Sequence, residues 1–142
     1  MRVAGITALG EPVELFEVDE PATPAAGEVL IDVVAAGIGN WDELVRIGSW
    51  QIGGPAPMAL GTEAAGTVAA VGSGVAELRE GDKVMTHPLP LRRHGTWAAR
   101  VLAPAAAVAI RPPGASWEAG GAFPIPALTA AQALDEALGI ES

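Results

Sequence analysis

The chain has 142 residues and a mass of 14.3 kDa, and its 17 acids against eight bases give a formal charge of −9 at pH 7. Lys83 is the only lysine and Arg92-Arg93 makes no basic patch, so neither a nucleic acid nor a polybasic membrane attachment is expected. With no cysteine and no tyrosine, disulfides, thiol nucleophiles, cysteine-ligated metals and phenolic proton donors are excluded within this chain.

Half of the residues are hydrophobic and the mean hydropathy is +0.35, enough for one domain with a core. Glu11, Glu14, Glu17, Asp19 and Glu20 interrupt the first twenty residues. No signal peptide and no transmembrane helix is expected, and the cytoplasm is the expected compartment. Residues 2–7 read as a strand, the Gly10-Glu11-Pro12 turn follows, and residues 13–18 read as a second strand. Two prolines and a glycine make 20–27 a loop. Glu28–Ala36 is the strongest strand, with Val29, Ile31 and Val33 on one face and Leu30 and Val34 on the other. It is expected to be buried on both sides apart from Asp32.

The period then changes. Trp41, Leu44, Val45 and Gly48 recur at helical spacing, with Asn40 as N-cap, Glu43 three residues later and Gly48 as the stop. After a loop at 53–57, strands are expected at 63–71, Lys83–Thr86, 96–102 and 107–110. His87 and His94 fall in the proline-rich loop between, where a surface role is expected. Ser116 caps a short helical turn. Residues 126–138 read as the longest helix, with Pro126 first and Gly139 after it. Many short strands and a terminal helix describe a small barrel or sandwich with a helical tail.

Four segments carry a family resemblance. AGIGNWD at 36–42 is similar to a G-[VI]-[CN]-x-x-D segment. GTEAAG at 61–66, continuing to VGSGV at 71–75, is similar to G-H-E-x-x-G-x-V-x-x-V-G. EGDKV at 80–84 is similar to a G-D-[KR]-V turn, and LTAAQAL at 128–134 to an L-T-A-x-x-A-L helix. In this order they resemble the N-terminal, GroES-like domain of medium-chain dehydrogenases/reductases, and within it the zinc-free quinone oxidoreductase branch. The resemblance implies a mainly β, partly open barrel with short helices and a C-terminal helix. It implies a GroES-like domain over 1–124 and, at 125–142, a helix leading into a Rossmann nucleotide-binding domain. The first strand of that domain is expected where residues 138–142 stand. Gly72-Ser73-Gly74 is no substitute for its glycine fingerprint, because Glu77 stands at the third glycine and no βαβ unit surrounds it.

The implied activity is hydride transfer from NADPH to a small quinone or enone, with this chain as the substrate-side wall and inactive alone. No metal is expected: Gly39 and Thr62 stand at the positions of the family's zinc-ligating Cys and His. The expected cofactor-side residues are Asn40, Trp41, Trp50 and Thr129, and no side chain is expected to act as a catalytic acid or base. Each has a plainer alternative. Asn40 caps its helix, Trp41 and Trp50 pack in the core, and Thr129 bonds its own helix backbone. Asp42 reads as a first-turn carboxylate and Glu63 as a structural one. A homodimer is expected. The competing reading is a non-catalytic module that self-associates through the Ala-rich helix.

Overall fold

The computed structural model describes residues 1–140. Glu141 and Ser142, which end the expected 125–142 segment, lie outside the described residues. Strands β1 (Arg2–Ile6), β2 (Glu14–Glu17), β3 (Glu28–Ala36), β4 (Met58–Ala59), β5 (Ala64–Val71), β6 (Lys83–Thr86), β7 (Arg100–Pro104) and β8 (Val108–Ile110) form two open antiparallel sheets. One has the order β2-β1-β4 and the other β7-β3-β5-β6-β8. A Val3–Ala98 bridge and the Ala4 N–H bonded to the Trp97 carbonyl at 2.8 Å join them without closing a barrel. The expected β-rich, partly open architecture is what the chain adopts.

The expected strands hold, with shifted ends. β3 and β6 match their expected bounds. β7 begins at Arg100 rather than 96, because the Thr96 and Trp97 amides bond to the Gly61 and Leu60 carbonyls instead of a ladder. The two-residue β4 falls in a stretch of turn residues and was not foreseen.

β3 lies between β7 and β5 in the larger sheet. Val29 and Ile31 are fully buried with Val68, Val84, Val101 and Ala103. Its other face departs from the expected two-sided burial: Val34 is 53% exposed, and Val13, Leu15 and Ile38 are exposed as well. Together these residues line an open apolar groove on this side of the sheets. A second cluster, with Ile6, Val45, Ile52, Met58, Leu60 and Leu91, fills the space under α1 (Asn40–Arg46).

The remaining helices are α2 (Trp117–Ala122) and α3 (Pro124–Ala131), the latter continuing as a π-helical turn over Gln132–Ala137. Ser116 caps α2 as expected, its Oγ accepting from the Ala119 N–H at 3.1 Å. The C-terminal helix starts two residues earlier than its sequence suggests. Phe123 is already helical, so Pro124 takes the first position, where a missing N–H costs nothing.

Strands β3 and β5 approach closely where Gly66 faces β3. A methyl on Gly66 would overlap the Asp32 carbonyl oxygen, a backbone atom that cannot swing aside. Gly66→Ala is expected to lower stability by about 1–3 kcal/mol in a urea melt.

Candidate functional site

The site is built on a glycine-spaced corner, Gly37-Ile38-Gly39, between β3 and α1. Side chains on either glycine would collide with functional groups: Gly37 with the Glu63 carboxylate, Gly39 with the Trp41 indole. The N-cap of α1 is Gly39, not Asn40. Gly39 has no side chain to cap with, so only the return half of a capping box exists. Asp42 Oδ2 accepts the Gly39 N–H at 2.8 Å. Asn40 stands instead at the first helical position with its side chain exposed, so capping does not explain it.

Trp41 is half-buried, and its Nε1 is enclosed without a partner. Asp42 is 3% exposed, and its second oxygen, Oδ1, is also unpartnered. Burial pushes the Asp42 carboxyl above its ordinary range, while the Gly39 and Gly61 amides pull it back. Thr62 is fully buried with an unpartnered Oγ1. Beside it, Glu63 is 2% exposed, and its Oε2 accepts the Ile125 N–H at 2.8 Å. Burial raises the Glu63 carboxyl too. The Ile125 N–H and nearby His87 oppose that rise, and Asp42 adds to it.

Both histidines lie in the loop after β6 and are partly buried. His87 is half-buried with Nδ1 2.6 Å from the Thr62 carbonyl. His94 accepts the Ala59 N–H at Nδ1, and burial followed by Arg93 lowers its pKa. Both therefore keep their loop position and are tied there to backbone groups. The donor set does not fit a zinc ion: Gly39 and Thr62 supply neither thiolate nor imidazole, and no group of three or more His, Cys, Asp or Glu is placed to hold a metal among the described residues.

Trp50 lies beyond the C-terminal end of α1, its N–H bonded to the Leu44 carbonyl at 3.0 Å. It packs against the cluster under α1 and also walls a cavity of about 560 Å³ with Leu9, Ile52, Pro55 and Met58. No charged side chain lines that cavity. Its lining includes neither Asn40 nor Trp41. Thr129 is exposed on α3, one turn beyond Ile125. The fold therefore brings Asn40 and Trp41 together, sets Trp50 in a separate cavity, and links Thr129 to the corner through Glu63. A larger cleft of about 650 Å³ lies elsewhere, lined by Arg92, Arg93, His94 and Arg100. Arg92 is paired with Glu28 and Arg100 with Asp32, so the cleft gathers bases without forming a free basic patch.

Sequence reasoning missed the burial of Asp42 and the Glu63–Ile125 bond. Nothing in the spacing joins positions 63 and 125.

Residues 25–121 match the alcohol dehydrogenase GroES-like domain. An alcohol dehydrogenase of Moraxella sp. (strain TAE123) is 36% identical over 84 residues, covering 59% of this chain and 25% of that protein. Among solved structures, an NAD-dependent alcohol dehydrogenase superposes with a TM-score of 0.86 at 30% identity, over 99% of this chain and 48% of that one. Escherichia coli quinone oxidoreductase complexed with NADPH superposes with a TM-score of 0.83 at 30% identity, over 96% and 41%. The chain thus spans a quarter of that curated relative and under half of these solved chains. It belongs to the alcohol dehydrogenase GroES-like domain family, the N-terminal domain of medium-chain dehydrogenases/reductases. Proteins of this superfamily are oxidoreductases, and its structural neighbours include quinone oxidoreductases.

Raised carboxyl pKa values carry a sign. Asp42 and Glu63 contribute stability that is fully present below the ordinary carboxylate range and lost as pH rises through their raised folded values. Asp42→Asn and Glu63→Gln are therefore expected to gain stability relative to the parent near neutral pH, and to lose that advantage near pH of about 4. Urea melts across the range measure the difference, and equal curves at both ends contradict it.

Proposed function

We propose that this chain is the substrate-side lobe of a metal-free, NADPH-dependent reductase of quinones or enones. In this reading residues 1–124 form the lobe, and 125–142 lead toward a nucleotide-binding unit. The observation that carries the reading is the uncharged cavity against Trp50, in a domain similar to a quinone oxidoreductase complexed with NADPH. A flat apolar wall with no charge beside it suits an uncharged ring.

NADPH, when bound, supplies the hydride. The rest falls to this chain. The exposed Asn40 amide presents a donor to a cofactor or substrate oxygen, and the exposed Thr129 hydroxyl serves the nicotinamide carboxamide. The enclosed Trp41 Nε1 is an unspent donor at the same corner, which suits a ligand or water carrying an acceptor. Trp50 stacks the acceptor ring and keeps water off it. Both buried carboxyls are turned to backbone amides, so the proton that completes reduction comes from water. The chain alone is expected not to turn over and not to bind NADPH at micromolar concentration.

Titration with 1,4-naphthoquinone, followed by NMR, is expected to shift the Trp50 indole N–H saturably together with Ile52 and Met58. Trp50→Leu is expected to weaken binding about tenfold. Shifts that never saturate, or that leave Trp50 untouched, overturn the reading.

One observation favours self-association beside this activity. α3 and the turn after it bury no side chain, and Leu128, Leu134 and Leu138 are all exposed. A homodimer covering this stripe is expected by sedimentation, and Leu134→Asp is expected to shift it to monomer.

A further inference from the structure

The opening turn of α3 has an unusual supply of hydrogen-bond donors. Pro124 and Pro126 carry no N–H, and the Ala127 N–H bonds to the Phe123 carbonyl at 3.0 Å. The Ile125 N–H is the donor left over, and Glu63 Oε2 accepts it at 2.8 Å. Glu63 is itself fixed. Its backbone carbonyl accepts from the Gly37 N–H at 3.1 Å and from the Thr96 hydroxyl at 2.8 Å. Its Oε1 lies where a methyl on Gly37 would sit.

The two ends of this arrangement carry different residues. Gly37 leads directly into α1 and Asn40. Ile125 leads, one turn on and on the same helix face, to Thr129. No side chain of α3 is fully buried among the described residues; Pro124, Ile125 and Ala127 are half-buried in its first turn, and its other residues are exposed.

We propose that Glu63 is a positioning residue: its buried carboxylate holds α3 at a fixed spacing from the start of α1 and so sets the gap between Asn40 and Thr129. The inference rests on the reading above, in which those two side chains face one cofactor ring. Glu63 acts through the backbone of Ile125 and touches no reacting atom. Glutamine keeps the acceptor oxygen. Leucine keeps the approximate size and removes it.

The absence of cysteine makes the measurement clean, because Asn40→Cys with Thr129→Cys introduces the only two thiols for spin labels. The distance distribution between the labels is expected to stay narrow in the parent and in Glu63→Gln, and to broaden in Glu63→Leu. In a cysteine-free background, the Ile125 amide is expected to exchange about tenfold faster in Glu63→Leu than in the parent. Gly37→Ala pushes on Oε1 with Glu63 intact, and gives the same broadening by a second route if Glu63→Leu fails to fold. Parent-like distances and Ile125 protection in whichever of these two variants melts cooperatively overturn the proposal. No cofactor or quinone enters the measurement, so its failure is distinct from that of the naphthoquinone titration.

Discussion

A carboxylate removed from water needs donors, and the sheet-and-corner geometry gives the Glu63 side chain one strong donor, the Ile125 N–H. That single bond constrains three separate parts of the chain. It requires glycine at 37, since the carboxylate occupies the volume a side chain would use. It satisfies the one donor left between the two prolines of α3, whose own missing N–H groups cost nothing in a first turn. It also couples the corner before α1 to a helix whose side chains are half-buried or exposed. The resulting arrangement is polar at its joint and apolar on both sides. β3 and its neighbours supply a dry floor, and α1 rests on a second cluster containing Val45 and Leu60.

Much of the fold was legible because period and turn chemistry agree along this chain. Glu28–Ala36 carries an apolar run bounded by a glycine turn, and it forms a strand paired on both edges at the expected residues. Ser116 before Trp117 is a cap in both sequence and structure. Failures came where tertiary contacts override a local signal. Asn40 has the chemistry of an N-cap, yet Gly39 takes the position because the indole of Trp41 folds back over it and Asp42 holds its N–H. Thr96 and Trp97 look like strand and pair with an irregular segment at 60–61. Val34 has the hydropathy of a buried residue and faces an open groove; composition cannot say what lies across a sheet face.

The candidate site was legible only as a set of residue types. The resemblance pointed to Asn40, Trp41, Trp50 and Thr129, and the cavity that Trp50 lines includes none of the other three. Trp50 lines an uncharged cavity beyond α1, while Asn40 and Trp41 open α1 and Thr129 is exposed on α3. A hydride acceptor needs a flat apolar surface and a directional donor, and one side chain rarely supplies both.

The polar corner carries a stability cost that packing alone does not explain. Trp41 Nε1, Asp42 Oδ1 and Thr62 Oγ1 are all enclosed without partners, and each such group costs about 1–3 kcal/mol when it stays unsatisfied. The chemistry of the trio restricts what answers them. An indole N–H only donates, a carboxylate oxygen accepts, and a hydroxyl does either. Around the start of α1 these atoms call for hydrogen-bonding neighbours of both polarities.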